Sequence, residues 1–396
     1  MRYTIGQLAE IIDGDRGKNY PKQDEFYPQG YCLFLNTGNV TKEGLIFEEN
    51  QFIMKEKDEA LRKGKLKRGD IVYTTRGTVG NAGYYNSSVP YENIRINSGM
   101  VILRSNGEIV DARFLYHILK SEYYRPYFKQ YCTGSAQPQL PIKNFSQIYL
   151  NVPDIKTQHR IADILSAYDD LIENNQKQIK LLEEAAQRLY KEWFVDLRFP
   201  GHENTKIVDG VPEGWNEKTL SQVADVIMGQ SPKSEFYNSE KKGLPFHQGV
   251  GSYGVRFVMD DIYSTSYTRI AEPNSILFSV RAPVGRLNIT KNKVVIGRGL
   301  AAINQADGCQ SYLYYLLKNR FFKDNIVGNG SIFASVSKDE LLNQKFLIPE
   351  RNLMMQFEKI VSQMDKQIEN LDSKNKKLIE ARDRLLPKLM SGEVEV

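Results

Sequence analysis

The sequence repeats itself at long range, and no other feature constrains its fold so tightly. Gly134-Ser135 recurs as Gly330-Ser331, and Pro153 recurs as Pro349. Ile164, Asp169, Ile172-Glu173-Asn174, Lys180, Leu182, Glu184-Ala185 and Arg188-Leu189 return as Ile360, Asp365, Ile368-Glu369-Asn370, Lys376, Leu378, Glu380-Ala381 and Arg384-Leu385. Every pair is 196 positions apart, so this stretch aligns without a gap. Upstream the match loosens. Thr4, Gln7, Ala9, Ile12 and Gly14 return as Thr219, Gln222, Ala224, Ile227 and Gly229 at a spacing of 215. The run Asp70–Gly80 echoes Ser275–Gly285 at 205, with Arg76, Val79 and Gly80 against Arg281, Val284 and Gly285. Each half is a variable globular segment followed by a well-matched helix. A duplicated scaffold with two diverged heads suggests two related but different targets read in one act.

The helices carry the plainest pattern. Ile161, Leu165, Tyr168, Ile172, Asn175, Ile179, Leu182, Ala186, Leu189 and Trp193 advance by alternating steps of four and three, the coiled-coil period. Phe357, Val361, Met364, Ile368, Leu371, Asn375, Leu378, Arg382, Leu385 and Leu389 repeat it. Pro153-Asp154 and Pro349-Glu350 suit helix starts, and Pro387 should kink or end the second helix. Two matched stripes are better satisfied by each other than by separate domain faces. In an antiparallel pair the facing residue numbers keep a constant sum. Ile161 with Leu389 and Trp193 with Phe357 both give 550, and so does Asn175 with Asn375. The two polar seam residues should therefore meet, unless the register slips by a heptad and each faces an apolar residue or water. A paired asparagine can fix register.

The expected class is α+β: two mixed, strand-rich heads joined by two long helices packed as an antiparallel coiled coil, with an internal pseudo-twofold repeat. The boundaries read as head one over 1–152, first helix 153–198, a polar linker 199–214, head two over 215–348, and second helix with tail 349–396. Strand-like runs stand at Tyr31–Leu35, Ile71–Thr75, Met100–Arg104 and Ile148–Val152. Amphipathic helices are expected at Ala112–Lys120 and Ser311–Lys318.

Catalytic constellations are hard to find. His117, His159, His202 and His247 lack paired metal spacing, and Gly77–Gly80 lacks the Lys-Ser/Thr that would make a phosphate loop. No Asp/Glu-x-Lys follows Pro153-Asp154 to build a nuclease site. The expectation is that this chain holds no catalytic residue, metal or cofactor of its own. Cys32, Cys132 and Cys309 are scattered and odd in number, which suits reduced thiols in a cytoplasm. No run of about 18 apolar residues could span a membrane, and the N-terminus lacks an apolar signal core.

The heads instead carry basic, glycine-punctuated loops. Between Arg281 and Arg298 stand Arg286, Lys291 and Lys293, with no acidic residue. In head one Lys63, Lys65, Lys67, Arg68, Arg76 and Arg95 cluster less cleanly, with Asp70 and Glu92 among them. Lysine and arginine neutralise phosphate, and arginine also pairs with guanine. Loops Thr133–Gln139 and Gly328–Phe333 add hydroxyl and amide donors. The candidate DNA-contacting residues are therefore Lys67, Arg68, Thr75, Arg76, Thr78, Arg95, Ser135, Gln137 and Gln139 in head one. In head two they are Arg281, Arg286, Lys291, Lys293, Arg298, Asn329 and Ser331. The net charge of +5 permits a polyanion partner without demanding one.

At Trp193–His202, followed by Val211–Trp215, the chain closely resembles the specificity subunits of Type I restriction-modification enzymes. Val152–Ile161 fits that family's first repeated region and Leu385–Glu393 its C-terminal end, so the resemblance spans the whole chain. It departs at Thr157-Gln158-His159, where the family more often shows Glu-Gln, and further at Leu353–Gln356. The resemblance implies that each head is a target-recognition domain reading one half of a split DNA site. It implies that the helices space the heads and dock two modification subunits, which bind S-adenosylmethionine and methylate adenine. ATP and Mg²⁺ would belong to separate restriction and translocase subunits. Independently, Ile161 to Trp193 is about 48 Å of helix, or roughly 14 base pairs of DNA at about 3.4 Å each. Two short, unlike half-sites around an unread gap are expected. The rival is a non-enzymatic coiled-coil adaptor or structural protein with two ligand-binding heads.

Overall fold

The computed structural model describes residues 1–134, 137–321 and 335–395. Two compact units emerge. One comprises Met1–Gln176 with Ser373–Val396, the other Lys177–Asp372. Each long helix, Ile155–Phe194 and Arg351–Ser391, contributes to both.

In the first unit an antiparallel sheet runs in the order Ala9–Asp13, Met100–Ser105, Ile71–Thr74, Ala82–Tyr84. Its strands are apolar on both faces, because both faces are covered. Ile71, Tyr73, Val101 and Leu103 pack under helix Ala112–Lys120, on Phe114, Leu115 and Ile118. Alternation along the strands turns Val72, Met100 and Ile102 to the other side, against Leu33, Leu35, Ile94 and Ile96 of a second sheet. In that sheet Cys32–Leu35 pairs in parallel with Ile94–Ile96. Asp111 starts the helix by accepting the Phe114 amide at 3.0 Å.

The second unit rebuilds the same plan. Ala224–Met228, Leu300–Gln305, Ile276–Ser279 and Leu287–Ile289 form the equivalent sheet in the equivalent order. Ile276, Phe278, Ala301 and Ile303 face the main core, while Leu277, Leu300 and Ala302 face Val294 and Ile296. Leu244–His247 pairs in parallel with Val294–Ile296. The expected strands and the helix Ala112–Lys120 stand within about two residues of their predicted bounds, whereas the helix of head two is longer, Gln310–Phe321, and the first long helix ends at Phe194, short of the expected 198. The linker is anchored at both ends, with Phe199 and Trp215 buried and their rings 5.5 Å apart.

The helices pair antiparallel within each unit, in the register the sequence predicts. In the first unit Ile161 and Leu165 share a core with Leu386 and Leu389. Asn175 Nδ2 donates to Asn375 Oδ1 at 2.7 Å. In the second unit the Trp193 and Phe357 rings lie 6.0 Å apart. Pro387 does not end its helix, which continues to Ser391. Burial of Leu386 and Leu389 on either side holds the last turn despite the missing amide donor.

The helix starts dock differently in the two units. Gln158 is buried. Its Nε2 donates to the carbonyls of Ile109 and Pro153, and its Oε1 accepts the Asp111 amide. Its repeat partner is Met354, an apolar core residue. There the task passes to Glu358, whose carboxylate accepts the amides of Ser311 and Tyr312 at the start of helix Gln310–Phe321. Negative charge is favourable at a helix N-terminus.

Candidate nucleic-acid interface

The Arg-x-x-Val-Gly run of each head is a tight loop leaving the central sheet, and a buried hydroxyl shapes it in both. Thr74 Oγ1 donates to the Thr78 carbonyl and accepts the Asn81 amide. Ser279 Oγ donates to the Pro283 carbonyl at 2.6 Å and accepts the Arg286 amide at 2.8 Å. Gly80 and Gly285 close the loops at φ of 101° and 85°, where a side chain would strain the backbone. The backbone latch leaves Arg76 and Arg281 exposed, and neither guanidinium has a partner among the described residues. The arginines are not what holds these loops.

Two further segments join each loop. In head one the Thr75 and Arg76 amides donate to Gly99 O, and Leu140 N donates to Thr75 O. Thr133 and Gln139 exchange backbone bonds at 2.8 and 2.9 Å, closing the loop that presents Gln137. In head two Val280 N donates to Gly299 O, and Arg281 bridges Ser335. Thr78, Gln137, Gln139 and Arg298 are exposed beside these loops. Thr75 is buried, its hydroxyl donating to Gly99 O, so only its backbone serves the surface.

Other candidates stand elsewhere. Arg95 is buried, with Nε on Asp58 and the other nitrogens on the carbonyls of Lys63, Asp58 and Leu61. It is a brace, and it leaves the candidate set. Lys67 and Arg68 lie at the opposite end of strand Ile71–Thr74 from the Arg76 loop. Arg68 caps the carbonyls of Asn86, Val89 and Tyr91 and stacks 4.1 Å over Tyr85. Lys291 pairs with Asp372 and Lys293 with Glu272, in the turn after strand Leu287–Ile289. Arg286 is half-buried in the wall of a cavity of about 390 Å³. Ser135, Asn329 and Ser331 fall outside the described residues.

Sequence reasoning missed a third segment. The parallel strands end in Asn36 and Gln248, and the equivalent bonds Asn97 N to Leu35 O and Gly297 N to His247 O bring both beside the loops. Turn residues Asn36–Asn39 and the glycines after Gln248 were the available signal.

Among the described residues no group of three or more His, Cys, Asp or Glu is placed to hold a metal, and no helix is long and apolar enough to cross a membrane. Burial pushes the Cys32 thiol up to about 12 and the Cys309 thiol up to about 11, so both are poor nucleophiles.

Twin heads with one loop architecture and unlike side chains define a duplicated, two-headed protein. The chain belongs to the type I restriction modification DNA specificity domain family, whose model matches residues 1–184 and 212–381. It is 29% identical to a Methanocaldococcus jannaschii protein provisionally assigned as the MjaX type I restriction enzyme specificity subunit, over 100% of this chain and 94% of the relative. Identity is 25% with the HindI specificity subunit of Haemophilus influenzae, over 98% and 100%. The fold matches the crystal structure of a Type I restriction-modification S subunit from M. genitalium with a TM-score of 0.56 at 18% identity, over 98% of this chain and 95% of that one. The adaptor reading is set aside, because the DNA-specificity model spans both heads.

Proposed function

We propose that this chain is the non-catalytic subunit that sets the DNA sequence acted on by a type I restriction endonuclease and adenine methyltransferase. Each head reads one half of a split, asymmetric site in double-stranded DNA. The paired helices dock two modification subunits, which carry S-adenosylmethionine. Restriction and translocase subunits bring ATP and Mg²⁺, and the assembly works in the cytoplasm. One observation carries the reading: the same latched loop presents an exposed arginine in both heads, while its neighbours differ, Gln137 and Gln139 against Arg298. Equal backbones with unequal side chains suit two related targets. The test is methylome sequencing of a host carrying this chain and its modification partner, with a chimera in which residues 1–150 are replaced. A split motif is expected, with one half changed in the chimera. Absence of a motif, or alteration of both halves, defeats the proposal. The purified chain alone should bind duplex DNA with affinity that falls steeply with salt and should transfer no methyl group.

A further inference from the structure

We infer that Gln248 is a base-reading residue of the second head and that the base it selects is adenine. The inference rests on the DNA-reading function proposed above. Gln248 is exposed at the end of strand Leu244–His247, on the segment that the parallel pairing brings to the Arg281 loop. Its backbone is boxed in by two glycines that must stay small. A Cβ at Gly297 would sit 2.7 Å from Gln248 Oε1 and 3.0 Å from its Cα, and one at Gly299 would sit 2.5 Å from its carbonyl oxygen. These distances are below normal contact, so a side chain at either glycine would push Gln248 aside.

The amide itself is oriented. Ser231 Oγ accepts the Arg298 amide proton at 3.2 Å and donates to Gln248 Oε1 at 2.7 Å. The Arg298 amide occupies one lone pair of the hydroxyl, and the hydroxyl's single proton is donated to Gln248 Oε1. This sets the oxygen toward Ser231 and leaves the Nε2 donor with no partner among the described residues. Oε1 keeps a second lone pair. An acceptor beside a donor on one planar amide matches adenine in the major groove, whose N6 amine donates and N7 accepts. Guanine offers two acceptors at that edge and would face Oε1 with O6. Arg298, whose backbone amide binds the same Ser231 hydroxyl, and Arg281 on the adjoining loop are both exposed, and their positive charge suits phosphate.

The first head supplies the contrast. Asn36 stands at the equivalent strand end, but its side chain accepts the Gly38 amide at 2.7 Å and caps its own turn. Equivalent positions therefore do different work, and a change at Gln248 should touch one half-site only.

The experiment uses the complete chain assembled with its modification subunits, read by methylome sequencing. Gln248→Glu keeps the shape and removes the donor, leaving acceptors that suit the cytosine N4 amine. One position of the second half-site should lose its adenine preference by roughly 5- to 150-fold and shift toward cytosine. The first half-site and the gap should be unchanged. Ser231→Ala should blur the same position without replacing its preference, and Ser231→Thr should restore it. Ser231 is a positioning residue here. An unchanged motif, an equal loss at every sequence, or a change in the first half-site overturns the assignment. A wild-type complex that methylates no split motif defeats the proposed function instead, and a split motif that Gln248→Glu leaves intact defeats only the role of Gln248. Equal thermal melting of the variants excludes misfolding as the cause.

Discussion

Replacing the Asn175–Asn375 layer with leucine tests whether an amide pair is kept in the helix seam for register rather than stability. The two partners are not equivalent. Asn375 is 7% exposed; its Oδ1 accepts from Asn175, and among the described residues its Nδ2 has only a 3.5 Å contact with the Ile172 carbonyl. Asn175 is half-buried, so water can reach it when its partner is gone. In Asn175→Leu the Asn375 oxygen is stranded in an apolar layer, which costs about 1–3 kcal/mol. The half-buried leucine returns roughly 1 kcal/mol, about half of a full burial. The net is a loss of about 0–2 kcal/mol. In Asn375→Leu the stranded group is rehydrated, while the new leucine is nearly fully buried and contributes about 1.5–3 kcal/mol. That variant should equal or exceed wild type, and the double leucine should be the most stable of the four. Urea denaturation of the full chain gives the order directly, and the cycle isolates the pair. An Asn175→Leu variant as stable as Asn375→Leu would refute the reasoning. The double variant should also relax discrimination of gap length in the split site. Full discrimination would mean that the layer does not set register.

Arg281→Ala and Arg76→Ala should each leave stability within about 0.5 kcal/mol, because hydroxyls and not arginines shape their loops. Each should weaken DNA binding by about 1–3 kcal/mol if it reads a base, or lower the salt slope by about 1 if it contacts phosphate; loss of stability with unchanged affinity would reverse the assignment. Arg95→Met should destabilise by about 3–5 kcal/mol in urea, since it leaves the buried Asp58 carboxylate with Lys65 as its remaining salt bridge. A neutral effect would return Arg95 to the surface set. His117 is buried against Ser166, Asp169, Lys120 and Arg382, and burial pulls its pKa down to about 4, opposed by Asp169 and reinforced by Lys120, Arg382 and Arg113. It is neutral in the fold but takes a proton near 6.5 when unfolded. The unfolded state binds more protons below that pH, so stability present above 6.5 is lost as pH falls from about 6.5 to about 4, by roughly 3 kcal/mol at most. His117→Gln should flatten this limb, and matching slopes for the two proteins would contradict the argument.

What the sequence shows and what it hides divide along physical lines. Helices with a 3.5-residue stripe announce their spacing, and the sum of 550 followed from symmetry alone, so even the Asn175–Asn375 contact was legible. Strands covered on both faces show up as apolar runs such as Ile71–Thr74. The surface was harder to read. Arg95 looks basic in the sequence, yet it lies between strand Ile94–Ile96 and the carbonyls of a loop some 30 residues away, a placement that only the tertiary fold determines. Gln248 carries no charge and follows a histidine, so no compositional signal marks it. The parallel pairing that brings it beside Gly297 joins segments about 50 residues apart.

The repeated aspartates show how duplication and divergence were reconciled. Asp169 and Asp365 occupy equivalent helix positions, and each receives a cation from elsewhere in its unit. Asp169 meets Arg382 on the second long helix, with Lys120 and His117 from head one. Burial would raise its pKa, but Lys120, Arg382 and His117 hold it below the usual range. Asp365 instead takes Arg256 of head two, which also reaches Glu183 and Tyr315 and lies 4.2 Å over the Tyr314 ring. There burial prevails, and the carboxyl is raised despite Arg256. Helix one therefore keeps a cation for its aspartate whatever head precedes it. Helix two depends on the head for its own. The Asp365 side chain keeps 22% of its surface exposed, so losing Arg256 should cost less than breaking a fully buried ion pair. The position that repeats Arg382 on the first helix is Ala186, so no equivalent arginine replaces it there. A head placed before the second helix is therefore expected to bring a cation to the place of Arg256, whereas one placed before the first meets Arg382 already beside Asp169.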